Sequence, residues 1–185
     1  MIKEVPILIK NLIRDKCVAT IAPSSRFVVR RICNSIDFRG DITLVEYGPG
    51  TGVITSALLQ KMSSNSELIA IEKNKGLFNY LNKIKDHRLS IINGDVMKVD
   101  TLLQKNLKRD KADYIVSGIP FSLCKKEERE NLVGKTYALL SKDGRFILYQ
   151  TSTAMKQHLI PQFAKIKTSF ELINLPPMFI LEASK

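Results

Sequence analysis

The sequence predicts an open α/β sheet with mostly parallel strands, an antiparallel last strand and helices on both faces. From residue 42 onward, short β-rich runs alternate with stretches of helical periodicity, a pattern typical of parallel strands joined by crossover helices. The last two β-rich runs are joined by a link too short for a crossover helix, which predicts an antiparallel pair. A glycine-rich turn follows the first strand and opens the first long helix, as at the ligand-binding edge of such sheets.

The elements follow one another in a regular order. Strands are predicted at Ile42–Tyr47, Glu67–Glu72, Leu89–Asn93, Tyr114–Val116 and Arg145–Gln150. Helices are predicted at Val53–Met62, Lys75–Lys85, Thr101–Lys108, Lys126–Leu140 and Ala154–Ala164. The final antiparallel strands are Phe170–Asn174 and Met178–Glu182, linked by Leu175-Pro176-Pro177.

Residues 1–40 predict an N-terminal helical extension that caps a main domain at residues 41–185. Pro23-Ser24-Ser25 supplies a break and then a cap for a helix at Arg26–Ile36. Residues 1–16 predict a helix with an apolar face beside a basic stripe, which is typical of a helix at a membrane interface. The apolar face is formed by Ile2, Val5, Leu8, Ile9, Leu12 and Ile13, and the stripe by Lys3, Lys10 and Arg14. Packing of the same face on the protein's own core is the open alternative.

The composition indicates a basic protein with an anionic partner. The 185 residues include 29 Lys and Arg against 18 Asp and Glu, for a net charge of +11. Such an excess favours nucleic acid or an anionic membrane surface as a partner, and a solvated basic surface is the alternative.

The chain shows neither a signal peptide nor an apolar run near the roughly 20 residues that span a bilayer. We therefore expect a cytoplasmic, peripherally membrane-associated protein. Three separated cysteines and two histidines show no ligand spacing, so we expect no metal.

The glycine-rich turn reads Glu46-Tyr47-Gly48-Pro49-Gly50-Thr51-Gly52. Glycines allow tight turning and close approach to a ligand, and the next helix points its N–H groups at that ligand. A dinucleotide loop needs a third glycine where this chain has Val53, so the spacing is E-x-G-x-G-x-G.

This spacing resembles the first motif of the class I S-adenosylmethionine (AdoMet) methyltransferases, which have a Rossmann-like fold. In that resemblance Glu72 is the acid that pairs with the ribose hydroxyls, and Asp95 is the acid that meets the adenine amino group. The implied cofactor-binding residues are Glu46, Tyr47, Gly48, Pro49, Gly50, Gly52, Glu72, Lys73, Asp95, Val96 and Ser117.

Ser117-Gly118-Ile119-Pro120-Phe121, which we call the lip, follows the fourth predicted strand. The rRNA adenine dimethylases have a similar lip, but theirs begins with Asn or Asp. That side chain orients the adenine amine, which is weakly nucleophilic because it is conjugated with the ring. A serine reaches less far and has no amide carbonyl. It therefore suits an amine that is a good nucleophile once deprotonated.

The chain resembles the small bacterial phospholipid N-methyltransferases, which methylate phosphatidylethanolamine towards phosphatidylcholine. The matching motifs are Ala22-Pro23-Ser24-Ser25, Ser117-Gly118-Ile119-Pro120, Tyr149-Gln150 and Leu175-Pro176-Pro177. The resemblance implies an N-terminal helix that covers the active site and docks on membrane. The rRNA dimethylases carry a further helical domain after the sheet, whereas this sequence stops at the last strand, which favours the lipid interpretation.

The resemblance and the chemistry together give the predicted acceptor site. The catalytic residues are Ser117, Phe121 and Tyr149, and the substrate-binding residues are Ser25, Arg26, Ile119, Pro120, Phe121 and Tyr149. Aromatic faces of Tyr47, Phe121 and Tyr149 would stabilise a cationic nitrogen, although core packing also explains Phe121 and Tyr149. The proton acceptor is not identified. An RNA adenine N-methyltransferase, a small-molecule amine methyltransferase and a non-enzymatic binding module stay open as alternatives.

Overall fold

A seven-stranded sheet forms the centre of the structure, a computed structural model that describes residues 26–103, 110–174 and 176–185. The strands are β1 (Thr43–Tyr47), β2 (Glu67–Glu72), β3 (Leu89–Asn93), β4 (Ala112–Ser117), β5 (Leu140–Gln150), β6 (Lys165–Glu171) and β7 (Met178–Ser184). The helices are α1 (Arg26–Asn34), α2 (Val53–Leu59), α3 (Lys75–Leu81), α4 (Val99–Leu103), α5 (Lys126–Leu139) and α6 (Lys156–Leu159). Short 3₁₀ turns lie at Val96–Lys98 and Phe121–Leu123.

The strand order is β3-β2-β1-β4-β5-β7-β6. Strands β1 to β5 are parallel, and β7 runs antiparallel to both β5 and β6. The order reverses between β1 and β4, and the carboxyl ends of strands at such a reversal form a ligand crevice. The predicted fold class, including the antiparallel last strand, is confirmed.

Two apolar clusters cover the two faces of this sheet. One contains Tyr47 and Phe146 from the strands together with side chains of α4, α5 and α6. The other contains Val116 and Tyr149 together with side chains of α1 and α2. Every residue of β1 and β2 is buried, because helices cover both faces of the central strands.

The largest differences from the predicted elements lie between residues 151 and 174. Helix α6 covers only Lys156–Leu159, and Pro161, which has no backbone N–H to donate, cannot continue its hydrogen bonds. Strand β6 covers Lys165–Glu171 and not Phe170–Asn174. It was missed because it is an edge strand that alternates lysines with half-buried residues, as edge strands commonly do.

Several predictions fall wholly or partly outside the described residues. These are the helix at residues 1–16, the cap at Ser25, the end of the helix at Thr101–Lys108 and Leu175 of the link. The division of the chain at residue 40 stays a prediction, and α1 packs its buried Val28 and Ile32 into the cluster shared with the sheet.

In the part of the chain that the structure describes, no helix has the length and hydropathy to cross a bilayer. The same part contains no group of His, Cys, Asp and Glu side chains suited to a metal ion.

Candidate active site

The turn between β1 and α2 depends on three glycines in left-handed backbone conformations. Their φ angles are 67° at Gly48, 60° at Gly50 and 78° at Gly52. A Cβ atom at Gly48 would lie 2.8 Å from Cγ2 of Ile119, and one at Gly52 would lie 2.7 Å from Cδ2 of Leu81. The backbone angles therefore favour glycine at all three positions, and at Gly48 and Gly52 a Cβ atom would also displace a neighbouring side chain. The contact with Ile119 also joins this turn to the lip that follows β4.

A buried carboxylate lies beneath the turn. Glu46 is 1% exposed, and its Oε2 accepts a hydrogen bond of 2.7 Å from Oγ1 of Thr55 on α2. Its Oε1 has no hydrogen-bond partner among the described residues. Burial raises the pKa of Glu46 to about 7, with a further contribution from nearby Glu72, despite the hydrogen bond from Thr55.

Glu72, at the end of β2, ties the turn to the neighbouring strand. Its Oε2 accepts from the N–H of Gly50 at 3.1 Å, and its Oε1 accepts from the N–H of Asn74 at 2.8 Å. Burial raises the pKa of Glu72, although these backbone hydrogen bonds oppose the increase. A carboxylate oxygen can accept two hydrogen bonds, so Glu72 has capacity left to accept hydrogen bonds from a ligand.

Asp95 lies beyond the end of β3 and is partly exposed. Its Oδ2 is 2.7 Å from Nζ of Lys73, and its Oδ1 accepts from the N–H of Met97 at 3.0 Å. Partial burial acts to raise the pKa of Asp95, but the hydrogen bonds from Lys73 and Met97 outweigh it and lower the pKa. Val96 follows in the 3₁₀ turn and is 8% exposed.

The lip begins at the last residue of β4. Ser117 pairs with Tyr47 of β1 and Leu148 of β5, and it is fully buried. Its hydroxyl has no hydrogen-bond partner among the described residues. The N–H of Gly118 donates to the carbonyl of Tyr47 at 3.0 Å, which holds the lip against the end of β1.

The lip lies against the end of β5 through one tight contact and one hydrogen bond. A Cβ atom at Gly118 would collide with the hydroxyl and ring of Tyr149. Nε2 of Gln150 donates to the carbonyl of Ile119 at 2.8 Å. Both strand ends, together with the start of β7, line a small open pocket formed by Gly118, Ile119, Pro120, Ser122, Tyr149, Gln150, Thr151 and Met178.

Comparison with known proteins identifies the family of this site. Residues 24–126, which include the turn, both acids and the lip, match the family "Ribosomal RNA adenine dimethylase". The chain belongs to the ribosomal RNA adenine dimethylase family. It is therefore an AdoMet-dependent methyltransferase, and the predicted cofactor and enzyme class are confirmed.

Curated relatives of two kinds resemble this dimethylase-family chain. The chain is 27% identical over 163 residues to an ornithine lipid N-methyltransferase of Singulisphaera acidiphila, with 86% of this chain and 84% of that protein covered. It is 30% identical over 128 residues to ribosomal RNA small subunit methyltransferase A of Ureaplasma urealyticum, with 64% and 44% covered. For the same enzyme of a Hydrogenobaculum species the values are 33% over 99 residues, with 54% and 36% covered. The chain thus spans less than half the length of these two rRNA enzymes.

Solved structures of other methyltransferases have the same fold as this dimethylase-family chain at low sequence identity. A precorrin-6y C5,15-methyltransferase from Geobacter metallireducens matches with a TM-score of 0.68 and 14% identity, covering 91% of this chain and 97% of that one. An N-methyltransferase from Bradyrhizobium japonicum matches with a TM-score of 0.71 and 11% identity, covering 86% and 95%.

The residues of this family member fit AdoMet well. Glu72 and Asp95 lie at successive strand ends and offer acceptor oxygens for hydroxyl and amino groups. The buried carboxyl groups of Glu46 and Glu72 beneath the turn disfavour a pyrophosphate there and favour a cationic sulfonium. The roles assigned to individual residues stay predictions.

The three aromatic rings expected around the crevice are not brought together. Tyr47 is fully buried on the α5 side of the sheet, where its hydroxyl lies 3.3 Å from Oγ1 of Thr136. Phe121 is 1% exposed and packs in the same cluster, whereas Tyr149 lines the pocket. Alternation along β1 turns Tyr47 inward, so its backbone is the part left to contact a cofactor.

Several residues of the pocket were not among the predicted site residues, and two of them, Gly118 and Gln150, hold the lip in place. Gly118 was interpreted only as part of the lip. A single sequence does not reveal that the Tyr149 ring packs where a Cβ atom of residue 118 would lie. Gln150 was noted in a Tyr-Gln dipeptide, but its hydrogen bond to Ile119 depends on the register of β4 and β5.

Of the predicted substrate residues, Arg26 lies at the exposed start of α1 with its guanidinium 4.9 Å above the Phe27 ring.

Proposed function

We propose that this protein transfers methyl groups from AdoMet to the amine headgroup of a membrane lipid, namely phosphatidylethanolamine and its methylated intermediates. It would act as a cytoplasmic enzyme bound peripherally to an anionic membrane surface. The observation that carries the proposal is Ser117, a fully buried small hydroxyl at the first position of the lip.

The acceptor chemistry explains why a serine is suitable there. The amine of adenine is conjugated with its ring, and Asn or Asp at this position orients it in the resembling rRNA enzymes. An alkylamine has a localised lone pair once it has lost a proton, so it needs positioning more than electronic assistance. Ser117 has no amide carbonyl, and its hydroxyl is buried without a described partner.

The relatives support a lipid acceptor in a second way. One relative, which is covered over 84% of its length, is named as an ornithine lipid N-methyltransferase. The rRNA enzymes match over shorter stretches. A lipid amine is therefore the acceptor class that we propose, and ornithine lipid belongs in the test beside phosphatidylethanolamine.

The chain's own residues would bind and orient the reactants. Bound AdoMet supplies a methyl group already activated by its sulfonium. The turn at Gly48–Gly52, with Glu72 and Asp95, would hold the cofactor, while the lip and Tyr149 would hold the amine in line with the methyl carbon. The headgroup ammonium would first lose its proton to water, and the Tyr149 hydroxyl could orient that water. The neutral amine, held in line by the lip and Tyr149, would then accept the methyl group, and the S–C electron pair would stay on sulfur.

RNA adenine is the second candidate acceptor, because the family match and the net charge of +11 favour it. One experiment separates the two. The protein is incubated with methyl-labelled AdoMet and, in separate reactions, liposomes containing phosphatidylethanolamine, liposomes containing ornithine lipid, or total RNA.

We expect label in the phosphatidylethanolamine liposomes and in their mono- and dimethylated products. Label in ornithine lipid alone would keep the lipid class and replace the headgroup. Label in RNA alone would overturn the lipid proposal. The matched control is Glu72→Ala protein, which at an AdoMet concentration near the parent's Kd should label every acceptor much more weakly than the parent does.

A further inference from the structure

The hairpin that joins β6 to β7 exposes apolar side chains at its turn. Phe170 is 40% exposed, Leu172 70% and Ile173 66%, and we call these three residues the hairpin tip. Single exposed apolar residues are ordinary, but adjacent ones at the end of a hairpin form a patch of the kind that marks interaction sites.

Polar side chains of the same turn point inward. Glu171 and Asn174 are each 6% exposed. Oε1 of Glu171 accepts from the N–H of Ile173 at 3.1 Å, and Nδ2 of Asn174 donates to the carbonyl of Pro176 at 2.6 Å. The polar groups of the turn are thus held by hydrogen bonds inside the turn, while its apolar side chains are exposed to water. Exposure of apolar side chains is unfavourable in water, so a partner that buries them would stabilise this arrangement.

The hairpin tip lies at the same edge of the sheet as the lip. Gln150, at the carboxyl end of β5, pairs with Phe179 near the start of β7. The ring of Phe179 lies 4.5 Å, centroid to centroid, from that of Phe170. Met178, one residue earlier, lines the pocket at the lip. A molecule seated on the hairpin tip is therefore next to the acceptor site.

A basic helix flanks the hairpin tip. Helix α1 reads RFVVRRICN and contains three arginines and no acid. Nε of Arg31 donates a hydrogen bond of 2.6 Å to Oε2 of Glu171, and this ion pair holds α1 beside the turn. Arg26 and Arg30 are exposed and one helical turn apart, so they lie on the same side of α1.

We propose that the hairpin tip inserts into the surface of an anionic bilayer while Arg26 and Arg30 contact its phosphates, so that the lipid headgroup enters the pocket at the lip. Apolar side chains beside basic ones are the combination that such a surface binds. A second copy of this chain fits less well, because each copy carries a net charge of +11. This inference rests on the proposed function.

The test is sedimentation of the full chain with vesicles made from equal parts of phosphatidylglycerol and phosphatidylcholine. The Leu172→Ser/Ile173→Ser variant should lose at least about tenfold in vesicle affinity, because the burial of two apolar side chains is lost. The Arg26→Gln/Arg30→Gln variant should lose several-fold, and added salt should reproduce that loss in the parent protein.

Two control variants match these changes elsewhere. Ile160 is 60% exposed beyond α6, and Ile160→Ser should sediment like the parent. Lys142→Gln/Lys165→Gln removes two exposed charges at the opposite edge of the sheet and should also sediment like the parent.

Several outcomes would overturn the docking proposal. One is unchanged sedimentation of the hairpin-tip variant. Another is a lowered melting temperature of that variant, which would mean that the chain itself covers the patch. A third is conversion of a dimer to a monomer in sedimentation velocity, which would assign the patch to a second copy.

Activity separates this proposal from the proposed function. With phosphatidylethanolamine dispersed in detergent micelles, the hairpin-tip variant should keep the parent rate, because no bilayer must be bound. A parent that methylates these micelles while both proteins bind vesicles equally would refute docking and leave the function standing. A parent that methylates only RNA, with vesicle binding still dependent on the hairpin tip, would refute the function alone.

Discussion

The two halves of the sheet's carboxyl edge organise their ligand-facing groups differently. In the half formed by β1, β2 and β3, Glu72 and Asp95 accept hydrogen bonds from backbone N–H groups and so fix the chain around them. In the half formed by β4 and β5, Ser117 is buried without a described partner, and Gly118 fits under Tyr149 by shape. The half that we assign to the cofactor is organised by charged groups, whereas the half that we assign to the acceptor is organised by close packing.

The largest effect should come from disturbing that packing at Gly118. In Gly118→Ala the new Cβ would collide with the Tyr149 hydroxyl and ring, so Tyr149 or the lip must move. A displacement of the acceptor by about 1 Å costs on the order of 100-fold in rate, and we expect at least that loss of methyl transfer. AdoMet affinity, measured by calorimetry, should stay close to that of the parent.

The matched control for this change is Gly134→Ala within α5. A Cβ there would make only ordinary contacts at 3.7 Å, and alanine favours the helix by about 1 kcal/mol, so activity should be unchanged. Full activity of Gly118→Ala would show that the packing against Tyr149 is not required for catalysis.

The same comparison explains what the sequence could predict. The glycine turn, Glu72 and Asp95 follow the first three strands in turn, so the motif spacing predicted that these residues lie at the carboxyl ends of parallel strands. The contact of Gly118 with Tyr149 and the hydrogen bond from Gln150 to Ile119 depend on the register of β4 and β5. That register cannot be read from a single sequence, because β4 and β5 are joined by a long crossover and not by a short turn that would fix their pairing. The inward orientation of Tyr47 and Phe121 likewise follows from packing on the α5 side.

The next largest effect concerns the pH dependence of stability. Glu46 has a pKa of about 7 in the folded protein against 4.5 as its reference, so the folded state binds more protons between these values. The free energy of unfolding should therefore be greatest below pH 4.5 as far as Glu46 is concerned, and should fall by about 3 kcal/mol as the pH rises through 7. Glu46→Gln should remove most of that fall, as urea unfolding between pH 5 and pH 8 would show.

Asp86 provides the control for this second prediction. Hydrogen bonds from Arg88 lower the pKa of Asp86 to about 2, so its contribution is lost only as the pH falls towards that value. Asp86→Asn should shift stability equally from pH 5 to pH 8 and leave the slope unchanged. An unchanged slope in Glu46→Gln would assign the pH dependence to other groups.

A third prediction tests the charged half through cofactor affinity. Glu72→Ala removes a carboxylate that also holds Gly50 and Asn74, and hydrogen bonds to charged groups contribute about 1.5–3 kcal/mol, so AdoMet affinity should fall tenfold or more. Asp95→Ala should cost less, because Asp95 is more exposed and paired with Lys73. Calorimetry should show parent affinity in Glu67→Gln, at the other end of β2. Parent affinity in folded Glu72→Ala would contradict the site assignment.

The smallest effect, and the one most specific to the acceptor half, should come from Ser117→Ala. The variant deletes a buried hydroxyl that has no described partner, and an unsatisfied buried hydroxyl costs about 1–3 kcal/mol. We therefore expect the free energy of unfolding to rise by about 1 kcal/mol or to stay constant. Methyl transfer should fall, because we propose that this hydroxyl contacts the bound reactants. Urea unfolding and initial rates with the same preparations would measure both. Ser117→Asn, which introduces the larger amide of the rRNA enzymes into a fully buried position, should instead lower both stability and rate. If Ser117→Ala kept the full rate, the serine would serve only to leave room at the lip. A loss of stability in Ser117→Ala would show instead that the hydroxyl is bonded in the protein without ligand.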